Sequence, residues 1–329
     1  GEILMGQAAV EELVAGQAVK IATGGMLPPE ADAVVMVEYT EDMGGGDIAV
    51  VRPVAPGENV VRRGEDIRRG QLLLPAGMRL RPQELGALAG IGVAECPVVV
   101  RPRVAIVSTG DELVPPEEEP ATGQVRDINS YALKALVDQA GGEGVIYGIV
   151  RDDFDTLKSV VEQALVQDDI IVISGGSSVG TRDVTAAVLN SFGDPGVLVH
   201  GVAVKPGKPT IIAVVRGKPV FGLPGHPVSA MVLSDLFLVP AVRHLLGAGP
   251  DDGRKPSLTA RLSRSLASAA GRVDYIRVAL AERDGELWAE PVLGKSGLIS
   301  TMVRADGFVV IAAAKEGLAA GEQVEVVLF

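Results

Sequence analysis

Between residues 103 and 247 two hydrophobic periodicities alternate along the chain. RVAIVST (103–109), GVIYGIV (144–150) and DIIVISGG (169–176) are near-continuous apolar runs, as expected of strands buried on both faces. Between them, NSYALKALVDQAGG (129–142) repeats apolar residues at Leu133, Leu136, Val137 and Ala140 and stops at Gly141-Gly142. DFDTLKSVVEQAL (153–165) does the same through Phe154, Leu157, Val161 and Leu165, and TRDVTAAVLNSFG (181–193) is read as a third helix. VLVHGVAV and PTIIAVV follow as strands. PVFGLPGHPVSAMVLSDLFLVPAVRHLLG (219–247) then reads as strand, tight turn and long helix, opened by Pro227 and kinked or divided at Pro240. Strands separated by helices of about a dozen residues predict a mainly parallel sheet covered on both faces.

The flanks follow period two instead. QAVKIAT, DAVVMVEYT and DIAVVRPV are broken by LPPE, GGGD and APGE, which predicts a β-rich module over 1–70. A segment over 71–101 carries a helix started at Arg81-Pro82, with Leu85, Leu88 and Ala89 on one face. The α/β domain spans 102–249, and 250–329 is a small β domain built from DYIRVALAE, ELWAEPV, GFVVIAA and QVEVVLF. The expected fold is therefore α/β multidomain.

Composition narrows the chemistry. The 329 residues suffice for two or three domains, and with aromatics at 3% the cores must come from Val, Leu, Ile and Ala. A net charge of −12 argues against nucleic-acid binding, though not against a small anion held by a few focused cations. One cysteine, Cys96, permits no intrachain disulfide, and His200, His226 and His244 lack ligand spacing, so a zinc enzyme is not expected. No 18-residue apolar run and no signal-peptide pattern is read, which makes the cytoplasm the expected location and a membrane partner unexpected.

Ligands of open parallel sheets gather outside the carboxyl ends of the strands. Those ends carry Ser108-Thr109-Gly110-Asp111-Glu112, then Arg151-Asp152-Asp153, then the loop Gly175 to Asp183. Later strands lead to Lys205-Pro-Gly-Lys208 and Gly222-Leu-Pro-Gly-His226-Pro. Carboxylates hold Mg²⁺, which bridges phosphate oxygens, so the set suggests a phosphate-bearing anion held by loop N–H groups, two lysines and a metal. Each residue has a plainer account: Asp152 or Asp153 as a helix cap, Asp183 as a helix-dipole partner, KPGK as an exposed turn, His226 as a turn residue or cap. Convergence on one sheet edge favours the site.

STGDEL (108–113), SGGSSVGTRD (174–183), VKPGKP (204–209) and GLPGHPVSA (222–230), in that order, resemble the molybdopterin molybdenumtransferases, the MoeA-type enzymes and the gephyrin E domain. GQAVKIATGGMLPPEADAVVMVE (16–38), GEDIRRGQLLLPAGMRLRPQELGALAGIG (64–92) and KSGLISTMVRADGFVVI (295–311) extend the likeness over nearly the whole chain. The resemblance implies a molybdopterin-binding α/β domain flanked by a β-rich module and a C-terminal β-barrel-like domain. It implies insertion of molybdate into adenylylated molybdopterin with release of AMP and with Mg²⁺ as cofactor.

The functional acids it implies are Asp66, Glu112, Asp152 and Asp183, the last three as metal ligands, with Lys205 as a further catalytic group. Ligand contacts would come from Thr23, Thr109, Gly110, Asp111, Gly175, Gly176, Ser177, Ser178, Gly180, Lys208, Pro224, Pro227, Ser229, Ser296 and Ser300. A homodimer is implied, with Thr23 and Asp66 acting across its interface, and a molybdopterin adenylyltransferase is the second expected partner. The family's DGYA stretch would precede Gly1, so the chain is expected to lack the family's N-terminal segment. The sequence also departs at GHP for the common GNP and at GGSS for GGVS. Two alternatives stay open here: a molybdopterin adenylyltransferase-like enzyme, and a truncated, catalytically weak ligand-binding or scaffold homologue.

Overall fold

A computed structural model describes residues 1–10, 12–175, 179–249 and 255–329, with the side chains of 179–183 outside the description. The chain divides into two compact units, Gly1–Pro75 and Ala76–Phe329.

The first unit has little regular structure. Glu2–Ile3 pairs in parallel with Lys20–Ile21, and Thr40–Gly44 forms a hairpin with Asp47–Val50. The strand expected over 32–40 is absent; Val37–Tyr39 is a 3₁₀ turn instead. The backbone there is held by a loop rather than a ladder: Val34 N–H donates to the Glu58 carbonyl (3.1 Å), and Asn59 Nδ2 donates to the Val34 carbonyl (2.8 Å). Its valines therefore have no neighbouring strand to pair with.

In the second unit Pro82–Gly90 forms α1, started where the Arg-Pro pair predicts, but only Glu84 is buried and the expected apolar face is open. The sheet domain then runs β1 (Arg103–Thr109), α2 (Asn129–Ala140), β2 (Glu143–Val150), α3 (Phe154–Gln167), β3 (Ile170–Gly175), α4 (Val179–Asn190), β4 (Gly196–His200), β5 (Ile211–Val215), β6 (Lys218–Pro224) and α5 (Pro227–Leu233). The strand order is β4-β5-β6-β3-β1-β2, with β2, β1, β3 and β6 mutually parallel and β5 antiparallel to both its neighbours. Alternate residues of β1 explain why it reads as one apolar run. Ala105 and Val107 pack under Leu157, Val161 and Leu189, while Val104 and Ile106 face Leu133, Val137 and Leu233 on the other side.

Beyond α5 the helix widens into a π turn, Ser234–Leu238, and resumes as Val239–Leu245. Val239 N–H reaches back to the Ser234 carbonyl, which accommodates Pro240 without an unpaired donor. The combined run Pro227–Leu245 is long and apolar enough to cross a membrane, contrary to the sequence expectation; half of it is buried, and it packs on the sheet.

Five strands, β7 (Ser257–Leu262), β8 (Val273–Arg283), β9 (Glu286–Pro291), β10 (Gly307–Ile311) and β11 (Gln323–Leu328), close into a barrel in the order β8-β9-β7-β11-β10-β8. The short strand Val204–Lys205 adds to this barrel, in parallel with Val273–Asp274. The loop Lys205–Lys208 of the sheet domain is thereby stitched to the C-terminal domain.

The amino end of the sheet, away from the strand ends discussed below, is held by buried Asp168. Tyr147 donates to its Oδ2 (2.6 Å), and Arg103 Nε approaches Oδ1 at 3.3 Å without completing a directed hydrogen bond. Burial, then the Asp168 contact, pushes the Tyr147 phenol up to about 12. An unfolded phenol titrates near 10, so above that pH the unfolded chain releases a proton that the native state keeps. Stability should fall as pH rises from about 10 to about 12, and Tyr147→Phe should flatten this limb, as read from urea midpoints at about pH 9 and about pH 11.5. Equal slopes in the two proteins would refute the assignment.

Candidate functional site

Strand register sets out the carboxyl edge. Thr109 lies opposite both Val150 and Gly175, and Gly175 lies opposite Pro224, so four strands end side by side. A side chain at Gly175 would fall on the Thr109 hydroxyl and carbonyl, which is why β3 must end in glycine. Asn129, at the start of α2, fixes the same edge by donating from Nδ2 to Ser174 Oγ (2.7 Å) and to the Gly225 carbonyl (2.9 Å). Asp127 accepts from Ser130 N–H (3.1 Å), and Ser130 meets Ser108 at 2.9 Å beneath. Sequence reasoning misses both Asn129 and Asp127; polar DIN at the head of an apolar helix is the available signal.

Of the two candidate caps, Asp153 takes the role and accepts from Thr156 N–H (2.9 Å). That leaves Asp152 to the edge, where it accepts from Thr109. Burial first, and then the nearby Asp111 and Glu112 charges, push its carboxyl above the usual range despite that hydrogen bond. Gly110, at φ +154°, brings the Glu112 carboxylate back over the strand end; a Cβ there would lie 2.7 Å from Oε2. Thr109, Gly110, Asp111, Glu112, Asp152 and Gly175 are thus brought together.

This cluster has a linkage consequence. A carboxyl with a raised folded pKa binds its proton more tightly in the native state, so its contribution to stability is lost as pH rises through and above about 4. Asp152→Asn should therefore raise the melting temperature at pH 7 in chelator-treated protein and change it less near pH 4. A lower melting temperature at pH 7 would contradict the like-charge account.

The second group lines a cleft of about 450 Å³ between the sheet edge and the barrel. Lys205, Lys208, Pro224, Ser229 and Ser296 line it, as do Arg277 and Lys295, which are not among the residues expected from sequence. Arg277 is 9% exposed; its Nη2 donates to the Gly294 carbonyl (2.9 Å), while among the described residues Nε and Nη1 are buried without a partner. Burial lowers its pKa, yet a guanidinium stays protonated, so the wall of the cleft contains a desolvated cation. The one sequence signal is a cation within the otherwise uncharged YIRVAL.

His226 stands at the position before α5 and makes no side-chain cap; its Nδ1 meets Ser296 Oγ at 2.9 Å. Val228 N–H donates to the Ser296 carbonyl (3.1 Å), a second tie across the cleft.

Other sequence candidates fall elsewhere. Pro227 is buried at the first position of α5, and Ser300 opens the short helix Ser300–Val303 without lining the cleft. Thr23 and Asp66 belong to the first unit. Gly176, Ser177 and Ser178 and the side chain of Asp183 lie outside the described residues, and Gly180 is placed only as part of α4. Among the described residues, no three Asp, Glu, His or Cys side chains form a metal-binding group.

An acid-bearing parallel-sheet edge beside a cation-lined cleft, closed by a β-barrel, defines a multidomain α/β protein. Family models agree: residues 2–92 match the MoeA N-terminal region (domain I and II), 105–244 the probable molybdopterin binding domain, and 259–329 the MoeA C-terminal region (domain IV). A putative molybdopterin biosynthesis protein of Methanocaldococcus jannaschii is 36% identical over 99% of this chain and 79% of its own length. The molybdopterin molybdenumtransferase of Bacillus subtilis is 32% identical over 98% of this chain and 76% of its own. The crystal structure of the molybdopterin biosynthesis moeA protein from Pyrococcus horikoshii OT3 superposes with a TM-score of 0.82 at 32% identity, covering all of this chain and 79% of that one. The chain belongs to the molybdopterin molybdenumtransferase (MoeA) family.

Proposed function

We propose that this chain inserts molybdate into adenylylated molybdopterin with release of AMP, the last step of molybdenum cofactor assembly. The observation that carries this reading is buried Arg277, on the wall of a cleft that also holds Lys205, Lys208 and Lys295. Such a site suits a small dianionic oxyanion, because a desolvated guanidinium and the lysine ammonium groups concentrate positive charge at one wall. Ser296 and Ser229 supply neutral hydrogen-bonding groups at the same wall.

The phosphates of the pterin nucleotide would lie along the strand ends beside Thr109 and Gly175. When its phosphoanhydride P–O bond breaks, the leaving phosphate gains negative charge, which Lys205 and Lys208 would offset. The entering oxygen comes from water or from molybdate.

Two acids of the strand edge, Asp152 and Glu112, would offer carboxylates to a divalent cation. Asp152 has a carboxyl raised by burial and by Asp111 and Glu112, and a bound cation relieves both effects. Asp152 and Glu112, with Asp183 from the sequence pattern, would hold Mg²⁺, which when bound neutralises phosphate charge. The substrate would come from a molybdopterin adenylyltransferase.

Thr23 and Asp66 would act from the second copy of a homodimer. Exposed Leu85 and Ile91 on and beside α1, and exposed Val98, Val99 and Val100, are apolar surface that a second copy would cover.

AMP release from adenylylated molybdopterin, with and without molybdate, tests the proposal. Release that depends on molybdate is the expected result; binding without release, or release indifferent to molybdate, would overturn it.

A further inference from the structure

Asp274 lies behind the cleft, outside its lining, and the chemistry above does not use it. It is fully buried, at the second residue of β8, directly opposite Lys205 in the parallel pairing of Val204–Lys205 with Val273–Asp274. Its Oδ2 is 3.4 Å from Lys205 Nζ, and its Oδ1 accepts from Arg272 Nε at 2.8 Å. A carboxylate at such a depth is costly to desolvate, and an apolar residue of similar size would serve packing at least as well.

The charge must therefore act on its neighbours. Among the described residues Lys208, Lys295 and Arg277 form no ion pair with an acid; of the four cleft cations only Lys205 does. The Lys205 side chain nevertheless remains about half exposed, so its ammonium is held near Asp274 as an ion pair while staying open to the cleft that Lys205 lines.

We infer that Asp274 is a positioning residue that aims the Lys205 ammonium into the cleft and holds down the cleft's positive charge, so that the oxyanion site releases its ligand between turnovers. This rests on the reading of the cleft as an oxyanion site. Coulomb repulsion between a buried carboxylate and an anion some two bond lengths beyond the lysine weakens binding, and removing it strengthens binding. A brace acting only through packing would have the opposite signature, since loosening it would weaken both binding and turnover.

Inorganic molybdate binding to the full chain by titration calorimetry, beside kcat for AMP release, separates these accounts. Asp274→Asn should bind molybdate about tenfold tighter and lose about tenfold or more in kcat, because Lys205 is no longer directed. Arg272→Gln leaves Asp274 with Lys205 alone, makes the site more negative, and should weaken molybdate binding severalfold; it decides the matter should Asp274→Asn fail to fold. Weaker binding in Asp274→Asn, or unchanged binding in both variants, overturns the inference. If the unmodified protein binds no molybdate, the oxyanion reading of the cleft fails first, and the two failures are told apart by that control.

Discussion

Arg277→Ala should lower molybdate-dependent AMP release by about 10²–10³-fold while leaving the protein as heat-stable as before, or more so. Among the described residues the guanidinium makes one hydrogen bond, to the Gly294 carbonyl, and its Nε and Nη1 have no partner. Removing it loses one hydrogen bond, worth about 1 kcal/mol, but also a desolvated charge that the fold alone does not compensate. Stability and activity therefore separate, as they do where a site is held in readiness for a ligand. Arg277→Lys should recover only a small part of the activity, since an ammonium restores charge but not the planar pair of donors. Melting temperature, molybdate affinity and kcat measured on the two variants provide the check. A large fall in melting temperature with activity lost in proportion would show Arg277 to be a structural group, and the oxyanion site would then have to be sought elsewhere.

The contrast between Arg277 and the strand-end residues shows what is legible in the sequence. Parallel strands buried on both faces leave continuous apolar runs, and helices leave a 3.6-residue stripe, so β1–β3 and α2–α3 can be read directly. Their carboxyl ends then follow from topology, which is why Thr109, Glu112, Asp152 and Lys205 can be selected from residue order alone. Arg277 cannot. It reaches the cleft because a closed barrel turns one residue of β8 toward the sheet domain, and nothing local in DYIRVALAE encodes that closure. Asn129 is hidden for a different reason: its two hydrogen bonds reach Ser174 and Gly225, 45 and 96 residues away. In the first unit the valines of 32–40 carry a strand signal that no partner strand answers, and loop hydrogen bonds decide the backbone there. The π turn before Pro240 is an intermediate case, for the proline announces an irregularity without saying how the helix absorbs it.

Gly207→Ala should be nearly as damaging as loss of Arg277, though by another route. Gly207 sits between the two cleft lysines at φ +126°, a conformation that side-chain-bearing residues rarely adopt, and an added Cβ would fall on the Leu233 side chain. Leu233 cannot yield, because it is fully buried among Val104, Ile106, Leu133 and Leu238. Backbone strain of about 1–2 kcal/mol and overpacking of about 1–3 kcal/mol together predict a loss of roughly 2–5 kcal/mol if the loop holds its place. The loop has an easier response, which is to shift outward and carry Lys205 and Lys208 with it. A displacement of about 1 Å at groups that stabilise developing charge lowers turnover by about 10²-fold. The shift also strains the Lys205–Asp274 pair, so the variant should lose both stability and molybdate affinity, unlike Arg277→Ala. Gly217→Ala is the matched control. That glycine also has positive φ, at +78°, but an added Cβ meets no atom within 4 Å, and the β5–β6 turn lies at the opposite end of β6 from the cleft. It should reduce stability by about 1 kcal/mol through strain alone and leave AMP release unchanged. If the two variants behave alike, the close approach of the KPGK backbone to Leu233 does not set the position of the lysines.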